Sequence, residues 1–117
     1  SDYTFAVRGR NGDLSTIGKA YSGLTDREIA DLTVWFLAHK TGGVLAGNSR
    51  AMRVEPSIVL DVAFDVIQKS ALHQSGFALR FPRIVLIRDD KPATEIDSIE
   101  RVEELYKSML QREGLDP

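Results

Sequence analysis

Tyr3, Phe5 and Val7 alternate with Thr4, Ala6 and Arg8 at the head of the chain. A period of two is the pattern of a half-buried strand. Asn11-Gly12 follows. Both residue types tolerate positive φ, so the pair marks a tight turn, and Leu14 to Tyr21 is expected to pair back as the second strand of a hairpin. In Leu24-Thr25-Asp26-Arg27-Glu28 the Thr and Glu stand at capping-box spacing, where each side chain reaches the other residue's backbone N–H. Leu24 and Ile29 take the positions of a hydrophobic staple. Ile29, Leu32 and Phe36 then recur at helical intervals with Trp35 alongside. Gly42-Gly43 is expected to end this helix, because glycine accepts a left-handed cap. Thr41 to Arg50, with three glycines and an Asn, reads as a loop.

Ile58 to Ser70 predicts one long strand. Ile58, Leu60, Val62, Phe64 and Val66 form an apolar face, while Val59, Asp61, Ala63, Asp65, Ile67 and Lys69 form a mixed one. Ser75-Gly76 lies in a connection, and Phe77 to Arg88 is a second extended run. Pro82 cannot donate to a ladder, so that run is kinked there or lies at an edge. Asp97 or Ser98 caps a last helix, on which Ile99, Val102, Leu105, Tyr106, Met109 and Leu110 make one apolar stripe. Such a stripe is a packing face, either for the chain's own sheet or for a neighbouring domain. The order is two strands, a helix, two or three strands and a helix. It suits a mainly β fold, a small Greek-key barrel of the OB type with an inserted and a C-terminal helix. A generic α+β sandwich fits the periodicity as well.

Composition narrows the chemistry. The 117 residues are 43% hydrophobic and 27% charged, with no Cys. One domain of this size buries a sufficient core without staples. A thiol nucleophile, a disulfide scaffold and a zinc-thiolate site are excluded. No apolar run approaches the roughly 20 residues that span a bilayer, and no basic-then-apolar leader opens the sequence. No membrane partner and a cytoplasmic location are therefore expected. The net charge of -2 argues against a generic nucleic-acid-coating protein while leaving room for a local basic strip.

Most candidate sites fail on spacing. Gly12 to Ala20 imitates a P-loop, but five residues separate Gly12 from Gly18, and Ala20 stands where Ser or Thr must hold magnesium. His39 and His73 lack metal-ligand or catalytic neighbours. His39 near a helix C-terminus suits the dipole, and His73 reads as a turn residue. Asp61 and Asp65, four apart, would lie ~13 Å apart on a strand, too far for shared acid–base work. No metal site is expected in this chain. One cluster remains, Arg80-Phe81-Pro82-Arg83-Ile84-Val85-Leu86-Ile87-Arg88-Asp89-Asp90-Lys91. On an ideal strand Arg80 and Arg88 share one side, with Phe81 and Arg83 on the other. Guanidinium and ammonium groups neutralise phosphate, and Phe81 between arginines suits stacking on a base or sugar. Read from the residues alone, the cluster is either such a site or a strand edge whose charge discourages aggregation.

Ser75-Gly76-Phe77-Ala78-Leu79-Arg80-Phe81-Pro82-Arg83, followed by Arg88-Asp89-Asp90-Lys91, resembles the C-terminal OB-fold domain of ATP-dependent DNA ligases. The second segment is similar to nucleotidyltransferase motif VI, R-x-D-K. Gly18-Lys19-Ala20-Tyr21-Ser22-Gly23-Leu24-Thr25-Asp26 resembles the family's glycine-lysine strand leading into its helix, and Val54-Glu55-Pro56 with Val59 to Phe64 its central strand. The sequence departs from the family at Asp61, often Glu, and at Leu86, often basic. The resemblance favours the OB barrel for residues 1–117. No K-x-D-G motif occurs, so no lysine here is an adenylation nucleophile, and the sequence is expected to be one domain of a longer polypeptide with a separate adenylation domain. The resemblance implies a parent that uses ATP and Mg2+ to seal nicked duplex DNA in replication, repair and recombination. Within it, Arg88 and Lys91 would meet the ATP phosphates, with Asp90 orienting them. Arg80, Phe81 and Arg83, and more weakly Lys19, would meet DNA in the minor groove. The isolated domain is expected to be inactive. A stand-alone nucleic-acid-binding OB module, or the OB module of an RNA ligase or capping enzyme, is the alternative.

Overall fold

A computed structural model describes residues 2–44 and 52–114. The first hairpin pairs β1 (Tyr3–Arg8) with β2 (Leu14–Ala20) antiparallel. Its turn is closed by Gly12 N–H donating to the Gly9 carbonyl at 3.1 Å, with Gly12 at φ 89°. The Asn11 side chain accepts from Asp13 N–H, which fixes the loop locally.

Helix α1 runs Asp26–Ala38. Thr25 Oγ1 accepts from Glu28 N–H at 3.1 Å and Glu28 Oε1 from Thr25 N–H at 2.9 Å, the expected capping box. Its end is not the expected one. His39 is the C-cap, stacked on Trp35 with centroids 3.8 Å apart and its Nδ1 2.7 Å from the Trp35 carbonyl. The imidazole thus satisfies a carbonyl that the last turn leaves unpaired. Gly42 and Gly43 lie instead in β3 (Lys40–Val44), antiparallel to β4 (Met52–Val54). The loop reading therefore fails for residues 41–44, and residues 45–50 lie outside the described residues.

Both predicted long strands are broken. β5 (Leu60–Ala63) and β6 (Val66–Lys69) replace the first, while β7 (Phe77–Arg80) and β8 (Arg83–Ile87) replace the second. β5 pairs with β8 and β6 with β7, both antiparallel. Ala63 faces Arg83 and Val66 faces Arg80, so the register is unchanged across the breaks. The four strands are one long ribbon bent at Phe64-Asp65 on one side and Phe81-Pro82 on the other. The bend also overturns the expected face assignment. Val59 and Ile67, placed on the mixed face, are the buried positions of this stretch.

Helix α2 (Ile99–Arg112) is capped by Ser98, whose Oγ accepts from Arg101 N–H. Ile99 and Val102 join Ile17 and Ile67 in the core, with Phe5, Phe77, Leu105 and Tyr106 packed around them. Tyr106 meets the Phe77 ring edge-on at 5.3 Å. The stripe thus packs on the chain's own strands. Fully burying a side chain such as Ile17 or Ile99 is worth about 1.5–3 kcal/mol.

The mainly β architecture with two α-helices agrees with the OB expectation; the described residues form eight strands where the sequence order suggested four or five. Among the described residues no continuous ladder closes a barrel. Single hydrogen bonds from β2 and its continuation join the ribbons. Thr16 O accepts from Ser75 N–H at 3.3 Å, and Ser22 O from Ile84 N–H at 2.9 Å.

Candidate functional site

Pro82 offers no N–H to a ladder, and the ribbon bends where it stands. Phe81, just before it, takes φ 54°. A non-glycine residue held there costs about 1–3 kcal/mol and persists only where its surroundings over-determine it. They do. Arg83 Nη1 donates to the Phe81 carbonyl at 3.2 Å and to Asp65 Oδ1 at 3.3 Å, while Asp65 N–H donates to the Arg80 carbonyl at 2.9 Å. The outcome is a large aromatic ring held outward, 63% exposed, with the Arg80 guanidinium 5.1 Å from its centroid. Arg80, Phe81 and Arg83 therefore form one exposed surface group, although an ideal strand would set Arg80 on the other side. Val85 and Leu86 extend an exposed apolar ridge along β8 beside it.

A β-bulge sets the other end of β8. Val62 faces Ile84 and Asp61 faces Leu86, so Val85 has no partner on β5. Beyond the bulge, Arg88 N–H donates to the Val59 carbonyl at 2.8 Å. One extra residue inverts the facing of everything that follows it. Arg83 and Arg88, on opposite sides of an ideal strand, come to the same side of the ribbon and each meets an aspartate of the partner segment. This corrects the expectation that Arg88 shares a side with Arg80 rather than Arg83.

Arg88 is clasped by two carboxylates. Its Nε and Nη2 donate to Asp90 at 2.9 and 3.0 Å, a bidentate fork. Its Nη1 donates to both oxygens of Asp61 at 3.3 Å. The side chain remains 25% exposed, at the surface rather than in an interior ion pair. Asp90 and then Asp61 raise the guanidinium pKa further above its ordinary value, so it stays charged. In turn, the hydrogen bonds from Arg88 lower the Asp90 carboxyl from 3.8 to about 2. A lowered folded-state pKa stabilises the clasp above pH 3.8, and that contribution is lost as pH falls through about 2. An NMR titration of the Asp90 carboxyl carbon is expected to show a midpoint near 2, returning towards 3.8 in Arg88→Ala. A midpoint of 3.8 in the unaltered chain would show that the clasp does not form in solution.

Lys91 N–H turns back to the Arg88 carbonyl at 3.4 Å. This places the ammonium-bearing residue in the same turn as the guanidinium, and no ion pair engages its amine among the described residues. Lys19 lies apart, exposed on β2 and 3.9 Å from Asp2; the structure does not bring it to the arginines. Asp61 and Asp65 are the partners that sequence reasoning missed. Their spacing ruled out a shared proton, yet each serves its own arginine. Only the cross-strand register reveals this.

Residues 1–91 match the family described as "ATP dependent DNA ligase C terminal region". The chain belongs to this ligase C-terminal family. It is 56% identical over 112 residues to a "Probable DNA ligase" of Koribacter versatilis, covering 96% of this chain and 19% of that protein. Identity to a "Probable DNA ligase" of Opitutus terrae is 57% over 101 residues, 85% of this chain and 10% of the relative. "DNA ligase 1" of Korarchaeum cryptofilum is 41% identical over 113 residues, 96% of this chain and 20% of the relative. The chain thus spans a fifth or less of each of these ligases. The family match ends at Lys91, on the turn that carries Arg88, and α2 lies beyond it. Among the described residues of this ligase-family chain, no helix is long and apolar enough to cross a membrane. Nor does any group of three or more His, Asp or Glu gather there to hold a metal ion.

Proposed function

We propose that residues 1–117 are the OB-fold module of an ATP-dependent DNA ligase that seals nicks in duplex DNA, and that the module acts in two states. In the first, it closes over ATP held by an adenylation domain of the same polypeptide. Arg88 and Lys91 meet the β- and γ-phosphates and orient pyrophosphate as the leaving group, in line with the attacking lysine. Phosphoryl transfer gains most from positioning and charge stabilisation. A planar fork and a point charge in one turn supply both. Asp90 keeps the fork's plane fixed. Magnesium, when bound with ATP, supplies further neutralisation of phosphate charge. In the second state the module faces duplex DNA. Phe81 wedges against sugar and base edges in the minor groove, while Arg80, Arg83 and, more weakly, Lys19 contact phosphates.

The observation that carries this reading is the surface clasp of Arg88 with Lys91 in the adjoining turn. Charged groups held rigid at a surface, with one amine unengaged, suit an anion delivered from outside the module. The test compares two half-reactions of the full-length parent enzyme. Lys91→Ala is expected to slow self-adenylation by at least about tenfold and spare sealing of a pre-adenylated nick. Phe81→Ala is expected to do the reverse. Equal losses in both assays for either variant would remove the division of labour.

A further inference from the structure

The two carboxylates on Arg88 are not equivalent. Asp90 grips Nε and Nη2 at 2.9 and 3.0 Å in a parallel fork. Asp61 reaches only Nη1, splitting it between two oxygens at 3.3 Å. Hydrogen bonds weaken with length, and an ideal charge-assisted one is about 2.7–2.9 Å. Asp61 therefore holds the weaker end of the guanidinium. It also lies on a different element, β5, whereas Asp90 sits two residues along the same turn and moves with Arg88. The edge formed by Nη1 and Nη2 is the second bidentate face of the fork. Asp90 engages that edge only at Nη2, and Asp61 engages it at Nη1.

We infer that Asp61 is a releasable latch on Arg88: an incoming phosphate displaces Asp61 from Nη1 while Asp90 keeps the guanidinium oriented. The inference rests on the phosphate-site reading of Arg88 and adds a positioning residue to it. Exchange of one anion for another at Nη1 spares the guanidinium an unpaired state before binding and after release. It also means that weak anions do not occupy the site, because they must outcompete a carboxylate already in place. The Val85 bulge is what makes the latch possible. Without the unpaired residue, Asp61 and Arg88 would lie on opposite sides of the ribbon.

The experiment titrates the 117-residue chain with inorganic tripolyphosphate, following the Arg88 Nε–Hε NMR signal and the dissociation constant. Asp61→Asn is expected to bind about three- to tenfold more tightly than the unaltered chain. Asp61→Glu, which keeps the carboxylate, is expected to stay within about twofold. Asp31→Asn is the charge control, because it removes the same charge from an exposed carboxylate on α1 whose partner, Arg27, has no part in the proposed site; its shift is expected to be under about twofold. In an Arg88→Ala background, Asp61→Asn is expected to have no effect. Thermal melts of each variant verify folding. Equal tightening by Asp61→Asn and Asp31→Asn, or none by Asp61→Asn, overturns the latch and leaves the phosphate site standing. Unchanged tripolyphosphate binding in Arg88→Ala and in Lys91→Ala overturns the phosphate site itself, and the latch with it.

Discussion

Replacing Arg88 with alanine in the full-length parent enzyme is expected to slow self-adenylation by about 10²–10³-fold. The effect on sealing of a pre-adenylated nick is expected to be much smaller. The magnitude follows from the role of the guanidinium in the proposed closed state. It is planar, permanently charged and already oriented by Asp90, so its positioning cost is met before ATP arrives. Removing it takes away charge stabilisation that grows as pyrophosphate departs, which acts on the transition state more than on bound ATP. The loss should therefore appear in the rate constant at saturating ATP. Once pyrophosphate has left, Arg88 has no polyphosphate to hold, and the later chemical step should proceed. Arg88→Lys is expected to recover only part of the activity, because a point charge cannot keep two Asp90 contacts and a phosphate contact in one plane. Radiolabel transfer from ATP to the enzyme checks the first half-reaction, and sealing of a pre-adenylated nick checks the second. A similar loss in both would point to a structural role for the clasp.

Gly23→Ala is expected to destabilise the fold by about 3–5 kcal/mol. Gly23 has φ +103°, and a Cβ added there would lie 1.8 Å from the carbonyl oxygen of Ile84. The neighbour is backbone, not the end of a flexible side chain, and Ile84 itself is 2% exposed. Ser22 and Gly23 run along the free edge of β8, where the Ser22 carbonyl accepts from Ile84 N–H at 2.9 Å. An alanine must push this segment off β8 or move a strand anchored in the core. Strain at positive φ contributes about 1–3 kcal/mol, and the overlap a similar amount. For a domain of this size the melting temperature should fall by roughly 10–20 °C. Gly12→Ala is the control. Gly12 has φ +89° but nothing within 4 Å of an added Cβ, so only the backbone strain applies. Melting both variants by circular dichroism separates the two causes. Equal shifts would show that the contact with β8 yields easily.

The sequence alone determined the features set by interactions between near neighbours. The Thr25–Glu28 capping box and the Ser98 cap occur as their residues demand, and the hairpin turns at Asn11-Gly12 with Gly12 alone of the pair at positive φ and Arg10-Asn11 at the turn's centre. Each depends on a hydrogen bond or dihedral within a few residues, so no distant partner can overrule it. The apolar stripe of α2 was legible for the same reason. The motif segments at Arg80 to Arg83 and Arg88 to Lys91 were legible as a resemblance, and the family match bears out the kinship.

Only the tertiary structure decided which side chains meet. The period of two continues through Phe64-Asp65, and nothing local announces the change of partner strand there. Gly42-Gly43 has the composition of a helix stop, yet pairing with β4 draws the segment into a strand. The facing of Arg88 depends on a single unpaired residue, Val85, opposite a strand distant in sequence. Alternation along a strand has two outcomes, and one inserted residue exchanges them. Pairing energy summed across two strands sets that choice, so Asp61 and Arg88 become partners only when both strands are in place.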